Sequence, residues 1–188
     1  MDPTRIPAHG QKVLAQLYDF DLARRSADPF FSTKPKIGLT PVAGDASGGL
    51  FMALADKGEI LYVSSEGSGG IVASNFDCMI LLLVCHPYWH KLLKYSSGGN
   101  LTEMRRAFPV LENYCSREEP QFRQAGEEIR KTLGLPPLTD VVDQLHASVS
   151  STPHRLTVCA PDGSSYGSLF GAYSIERSMA WRYQHRPT

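Results

Sequence analysis

Apolar side chains recur at helical spacing near the start of the chain. Leu14 and Leu17 lie on one face of a helix drawn over residues 11–25. Pro29 follows, and the residue before a proline is pushed out of the helical region of backbone space. The pattern predicts an amphipathic helix over residues 11–25 and an extended connection over residues 30–38.

The spacing then changes to short apolar runs separated by glycine-rich turns. Residues 50–55 and 59–64 are two such runs, and Gly58 between them supplies the positive φ of a tight hairpin. The runs at 39–43 and 70–73 can add a strand on each side. The pattern predicts a meander of three or four strands.

The most apolar segment of the chain follows the meander. Ser74 and Asp77 have the spacing of a helix N-terminal capping box, and Met79–Cys85 is apolar on nearly every side. We expect a helix that begins at Ser74, is buried under the sheet, and is kinked or restarted by Pro87.

Polar cap residues and turns divide the remaining chain. Asn100, Ser116 and Thr139 are typical helix starts, and a turn around Gly163 separates two short apolar runs. The predicted elements are helices over 101–114, 117–133 and 139–149, a polar linker over 150–153, a hairpin over 156–160 and 165–170, and a last helix over 174–183.

These elements define the predicted fold class. We expect an α+β fold, with an antiparallel or mixed sheet (a meander plus a C-terminal hairpin) packed against several helices. A chain of 188 residues with 42% apolar composition is long enough for one sizeable core. We predict a single domain over residues 1–188, with residues 151–188 as a candidate appendage.

Composition narrows the classes of function. Nineteen Lys and Arg balance nineteen Asp and Glu, so no global field gathers nucleic acid or an anionic membrane. The N-terminal segment lacks the apolar run of a signal peptide, and Met79–Cys85 is far shorter than the roughly 20 residues that cross a bilayer. We expect a cytoplasmic protein with four reduced, buried cysteines, no nucleic-acid partner and no membrane partner.

The C-terminus is a local exception to this charge balance. Arg177, Arg182 and Arg186 alternate with Trp181 and Tyr183, a composition suited to RNA. A solvated terminal helix is the commoner explanation for such a segment, and it is the one we expect. An RNA-binding tail stays as the alternative.

Two glycine-rich stretches approach known motifs without matching them. Residues 44–49, GDASGG, are close to the nucleophile-bearing G-D-S-G-G of chymotrypsin-like serine peptidases, but Ala46 separates Asp45 from Ser47. The stretch at 67–70 lacks the Lys-Ser/Thr pair of a phosphate-binding P-loop. We expect both stretches to form turns.

His86 and His90 are the best metal candidates. Histidines four residues apart on one helix face can share an ion, and Cys85 or Cys78 could join them. Pro87 disturbs that face, so we expect an aromatic cluster at a helix end, no metal and no cofactor. The alternative is a small-ligand or metal-dependent enzyme that uses a pocket near His86 and His90.

Several features between residues 39 and 80 occur together. They are Pro41 entering a strand, turn glycines at 44, 49 and 58, the strand sequences LFMAL and EILYV, and IVASNF leading into a helix. In these features the chain resembles the SUKH superfamily, the immunity-protein and yeast cell-wall-regulator-like group. The resemblance implies an α+β binding scaffold, in bacteria commonly an antitoxin-like protein that occludes a secreted toxin domain.

The leading functional prediction combines this resemblance with the lack of a convincing catalytic set. We expect a non-enzymatic protein-binding scaffold, an immunity protein in its specific form, that recognises another protein through a sheet edge and glycine-rich loops. Asp45, Tyr62 and Glu66 are the predicted partner-binding residues, because the two charges lie beside the loops.

Overall fold

The chain folds into helices and two antiparallel sheets, which confirms the predicted α+β class. The computed structural model describes residues 5–25, 28–137 and 139–185. The six strands of this part of the chain are β1 Ser32–Lys34, β2 Leu39–Gly44, β3 Leu50–Leu54, β4 Ile60–Val63, β5 Gly69–Ala73 and β6 Thr157–Cys159. The α-helices are α1 Ala8–Leu17, α2 Phe76–Cys85, α3 Trp89–Lys94, α4 Leu101–Glu118, α5 Gln121–Thr132, α6 Val141–Arg155 and α7 Met179–Gln184.

Contacts within the chain divide it into two units. The sheet unit is the chain up to Ile80 together with Ala147–Ser168. The helical unit is Leu81–His146 together with the chain from Leu169 onward. The prediction of a single domain stays a prediction.

The sheet unit is built on the predicted meander, with strand order β2-β3-β4-β5 and antiparallel pairing throughout. All residues of β4 and β5 are buried, so these strands appear in the sequence as continuous apolar or glycine runs. Gly58 has a φ of 71° in the turn before β4. The meander and its hairpin turn are confirmed.

Strand β2, at the first edge of the meander, contains a proline and pairs at its end with a preceding segment of the chain. Pro41 has no N–H to offer, and the register of β2 against β3 shifts between Pro41 and Ala43. At the end of the strand, Gly44 exchanges two backbone hydrogen bonds with Asp21, at 2.9 and 3.0 Å. These features oppose the addition of a foreign strand at this edge.

The opposite edge, β5, also pairs with groups of the same unit. The Ile71 amide donates to the Thr152 hydroxyl at 2.9 Å in a buried position. The Gly69 amide donates to the carbonyl of Gly167, also at 2.9 Å. The edge amides of Gly69 and Ile71 are therefore satisfied within the protein.

A second, two-stranded sheet pairs β1 with β6. The segment of β1 was predicted to be only an extended connection, because three residues carry little pattern. The predicted C-terminal hairpin is reduced to β6 and a single bridge between Cys159 and Ser165. One apolar cluster joins residues of both sheets: Phe31, Leu50, Met52, Leu54, Leu61, Val63, Ile71, Leu156 and Val158.

The helical unit contains the predicted helices after residue 100. Asn100 caps α4, since its side-chain oxygen accepts from the amides of Thr102 and Glu103 at 2.9 and 3.3 Å. Pro109 lies within α4 on an exposed position, and the helix continues past it.

Two helix ends were predicted wrongly. The first helix ends at Leu17 instead of residue 25, because Asp19 takes a φ of 52°, outside the helical region. The predicted linker at 150–153 is the last part of α6. Val149 and Thr152 remain buried at helical spacing, which the polar serines around them conceal.

Three predicted helix starts also need correction. Asn75, and not Ser74, caps α2 by accepting from the amide of Cys78 at 2.9 Å. The helix of α4 runs through Ser116, so α5 begins only after Pro120. The last predicted helix is interrupted at Ser178, whose hydroxyl accepts from the Trp181 amide and starts α7.

The cysteines are free thiols, but only Cys159 is buried, whereas Cys78, Cys85 and Cys115 are half-buried. Within the described residues, no helix has both the length and the apolarity needed to cross a membrane.

Candidate functional site

The first candidate site is the end of the meander where two loops meet. In an antiparallel meander alternate connections lie at the same end, so the β2–β3 and β4–β5 connections are neighbours. A Cβ atom placed on Gly48 would lie 3.8 Å from the Cβ of Ser65, which shows that the loops touch. We call residues 45–49 and 64–68 the loop end.

A buried carboxylate organises the loop end. Asp45 is only 5% exposed, and its two oxygens accept hydrogen bonds from the Gly49 amide and from the Tyr62 hydroxyl, each at 2.7 Å. Burial, followed by the hydrogen bond to Asp45, raises the pKa of Tyr62, so the hydroxyl stays protonated and donates. In a serine-peptidase triad the carboxylate accepts a hydrogen bond from a histidine. Here the Asp45 carboxylate accepts from Gly49 and Tyr62 instead.

Gly49 is required by this arrangement. A Cβ atom at this position would overlap the Oδ2 atom of Asp45 and lie 2.8 Å from the Tyr62 hydroxyl oxygen. Only a glycine lets the chain turn this close to the buried pair. The glycine that suggested a peptidase motif therefore makes room for a structural hydrogen bond.

The loop end is also braced from the N-terminal segment. Asp19 accepts from the Ala46 amide at 2.7 Å, and Arg24 donates to the Asp45 carbonyl at 3.4 Å. The sequence pattern indicates neither residue as part of a site. The only local signal was the polar Asp19 within an otherwise amphipathic pattern, and it does not reveal a contact with a loop 27 residues away.

The structure places the three predicted partner-binding residues differently. Asp45 and Tyr62 are brought together and are both buried, with 5% exposure each. Glu66 is exposed, and its negative charge contributes to the raised pKa of Tyr62. Contact of Asp45, Tyr62 and Glu66 with a partner stays a prediction. The exposed residues of the loop end are Ala46, Ser47, Gly48, Ser65 and Glu66.

The second candidate site is a cleft of about 670 Å³ in the helical unit. Its lining residues come from the end of α2 and the chain that follows it, from α4, from α5 and the connection before it, and from Pro137. The lining residues are Val84, Cys85, His86, Pro87, Tyr88, Glu112, Cys115, Ser116, Glu119, Phe122, Arg123, Gly126, Glu127, Arg130 and Pro137. We call this space the cleft.

His86 is a buried titratable group of the cleft. It is 8% exposed, and its ring packs against Phe108 at a centroid distance of 5.3 Å. Its Nδ1 atom lies 3.3 Å from the Tyr88 hydroxyl oxygen. Burial lowers the pKa of His86 to about 4, so the imidazole is neutral at physiological pH.

The metal hypothesis depended on His86 and His90 sharing one helix. The structure ends α2 at Cys85 and begins α3 at Trp89, so the two histidines lie on different elements. His90 is exposed and lines a smaller cavity of about 110 Å³ instead. No group of three or more metal-ligating side chains occurs among the residues that the structure describes.

Two tyrosine rings near the C-terminus each contact an arginine of the helical unit. Arg177 stacks over Tyr173 at 5.3 Å, and the α4 residue Arg117 stacks over Tyr183 at 5.2 Å. Each cation–π contact occupies one face of its ring, and both rings are partly exposed. Arg186, the last arginine of the predicted basic tail, lies outside the described residues.

The fold and these two sites define a protein of the α+β class with a braced loop end and a separate cleft. Comparison with known proteins finds no matching protein-family model, no matching curated protein and no matching solved structure. The proposals below therefore depend on the residues and their geometry.

Proposed function

We propose that this protein is a non-enzymatic binding scaffold, an immunity protein whose loop end occludes a toxin domain. The observation that supports the proposal is the buried Asp45–Tyr62 hydrogen bond beneath two adjacent exposed loops. It fixes the shape of the loops before a partner arrives, which reduces the ordering entropy that binding must overcome.

The composition of the exposed tip suits a protein contact. Ala46, Ser47 and Gly48 are small and exposed, so a partner can approach the backbone closely. Asp19 and Glu66 add exposed negative charge beside them. An acidic rim favours a partner with a basic surface and speeds the encounter with it.

The sheet edges contribute less to the proposed contact than the sequence predicted. Pro41 and the register shift beside it disfavour pairing along β2, and the β5 amides of Gly69 and Ile71 already have acceptors. Pairing of a partner strand would have to displace these bonds. We therefore assign the contact to the loop end.

The experiment is a binding titration with the product of an adjacent gene that carries a toxin domain. Ser47→Arg and Glu66→Arg each place a long cation on the loop end, and we expect them to weaken binding by at least about 30-fold. Lys57→Glu is the control, because it reverses an exposed charge in the β3–β4 turn at the other end of the same sheet.

A control that weakens binding as much as the loop variants would contradict the assignment to the loop end. Lack of binding to any such neighbouring toxin domain would contradict the immunity role. The enzymatic alternative would gain support if the purified protein turned over a substrate and lost that activity on substitution of His86.

A further inference from the structure

The cleft has the size and the apolar surfaces of a small-molecule site. Ligand pockets typically enclose about 300–1,000 Å³ and combine apolar walls with a few polar groups. The cleft encloses about 670 Å³, and the rings of Tyr88 and Phe122 are part of its lining. Flat ligands of roughly 10–20 non-hydrogen atoms fit such a space.

The basic residues of the cleft are partly neutralised. Arg130 donates two hydrogen bonds to Glu127, at 2.9 and 3.0 Å, and a third to the Leu135 carbonyl at 2.8 Å. The hydrogen bonds from Arg130, and then the one from Lys131, lower the pKa of Glu127 to about 2 and keep it ionised. Arg130 and Glu127 thus cancel each other, leaving Arg123 as an exposed cation of the lining.

The wall formed by α4 and the residue that follows it is acidic. Glu112 on α4 and Glu119, directly after the end of α4, both line the cleft, as does Cys115 between them in the chain. Their charges contribute to the raised pKa of Cys115, to which burial contributes most and which Lys91 opposes. Glu112 also contributes to the raised pKa of Tyr88. A negative potential therefore covers this side of the cleft.

His86 adds no positive charge to balance that wall. Its imidazole is neutral above a pH of about 4, since its site is desolvated. A neutral imidazole can exchange a hydrogen bond with a ligand without repelling a cation. The aromatic rings near the acidic wall are the surfaces on which organic cations bind well.

We propose that the cleft binds a small organic cation with a flat apolar body, an aromatic amine in chemical class. The apolar body lies between Tyr88 and Phe122, and the ammonium group faces Glu112 and Glu119. The proposal concerns residues of the helical unit alone, so it stands or fails independently of the protein partner of the loop end.

The experiment titrates the full-length protein with three indole probes and follows amide signals by NMR. Tryptamine carries an ammonium group, tryptophol a hydroxyl and indole-3-acetate a carboxylate on the same ring system. We expect tryptamine to bind at least about tenfold more tightly than the other two. The largest signal changes should occur at His86, at Tyr88 and over residues 112–119 and 122–130.

A charge-matched pair of variants isolates the acidic wall. Glu112→Gln combined with Glu119→Gln should weaken tryptamine binding by about tenfold and leave tryptophol binding unchanged. The control combines Glu118→Gln with Glu128→Gln, since both residues are exposed on α4 and α5 and neither lines the cleft. Thermal unfolding of both variants checks that they remain folded.

Four results would overturn the proposal. They are equal or tighter binding of indole-3-acetate, signal changes outside the cleft, an equal loss of affinity in the control, and lack of tryptamine binding at millimolar concentration. A preference for indole-3-acetate would instead identify an anion site that uses Arg123.

Discussion

The loop end of the sheet unit and the cleft of the helical unit each bury a polar side chain beside a tyrosine hydroxyl. At the loop end, Asp45 receives two hydrogen bonds of 2.7 Å, from Gly49 and Tyr62. In the cleft, His86 has a longer contact of 3.3 Å with Tyr88 and packs mainly against aromatic rings.

The two buried groups differ in their hydrogen bonding, and this difference indicates different roles. Asp45 is a structural polar group, whereas His86 lines an open cleft. A buried carboxylate with strong donors holds its surroundings in one conformation. A desolvated imidazole at the wall of an open cleft keeps hydrogen-bonding capacity and has a shifted pKa, the combination found in ligand sites. We therefore expect substitutions in the buried group of Asp45, Gly49 and Tyr62 to change mainly stability, and substitutions in the cleft to change pH dependence and ligand binding.

The largest expected effect is that of Gly49→Ala. The added methyl group would displace the Asp45 carboxylate and the Tyr62 hydroxyl, so we expect the free energy of unfolding to fall by about 3 kcal/mol or more. Urea denaturation measures this change. Gly167→Ala in the same unit is the control, because its Cβ would meet nothing closer than 3.6 Å, and it should change stability by less than about 0.5 kcal/mol.

Equal effects of the two alanine substitutions would show that Gly49 has no special role in the loop end.

The next effect is a loss of stability in acid caused by His86. Its pKa is about 4 when folded and near 6.5 when exposed, so the unfolded chain binds the extra proton first as the pH falls. The neutral imidazole therefore contributes stability above pH 6.5 that is lost towards pH 4, by about 2–3 kcal/mol at most.

His86→Phe tests this pH dependence. Between pH 6.5 and 4, the free energy of unfolding of His86→Phe should depend on pH much less than that of the parent protein. His90→Phe, at an exposed position, should keep the parent's pH dependence. A slope that survives in His86→Phe would assign the acid sensitivity to another group and break the contrast between the two sites.

A smaller effect is expected for Tyr62→Phe. The change removes the donor to Asp45 Oδ2 and leaves a buried carboxylate oxygen without that bond, which should cost about 2 kcal/mol of unfolding free energy. Tyr173→Phe, which removes a hydroxyl from an exposed ring, serves as the control. Similar small losses in both variants would mean that the buried hydrogen bond does not stabilise the loop end.

The smallest effect should come from Ser47→Ala. Ser47 is exposed, and Asp45 is already occupied, so we expect unfolding free energy within about 0.5 kcal/mol of the parent and unchanged binding of the partner. If the purified protein hydrolysed a peptide substrate and lost that activity on Ser47→Ala with its stability intact, Ser47 would be a nucleophile and the structural account of this loop would be wrong.

The sequence predicted the parts of the fold that local patterns specify. The apolar runs and Gly58 identify the meander, and Asn100 identifies the start of α4. The pairing of β1 with β6 was missed because two three-residue strands from distant parts of the chain carry no joint signal. The continuation of α6 was missed because Pro153 and its polar neighbours resemble a linker.

The sites show the same limit. Asp45 and Tyr62 were selected as partner contacts, but their mutual hydrogen bond joins residues 17 positions apart and depends on how the meander folds. His86 and His90 were paired by helical spacing, which fails because the helix ends between Cys85 and Trp89. Asp45 is a charged residue in a glycine-rich stretch, and such a residue is predicted to be exposed. Its burial results from the tertiary fold, which the local composition does not show.

Hydrogen exchange of the protein, alone and bound to the proposed toxin partner, tests the central claim most directly. We predict that the partner slows exchange of amides in residues 45–49 and 64–68, while amides of the β3–β4 turn at residues 55–59 exchange as before. Protection confined to the 55–59 turn or to the cleft residues 112–130, with the loop end unchanged, would contradict the account.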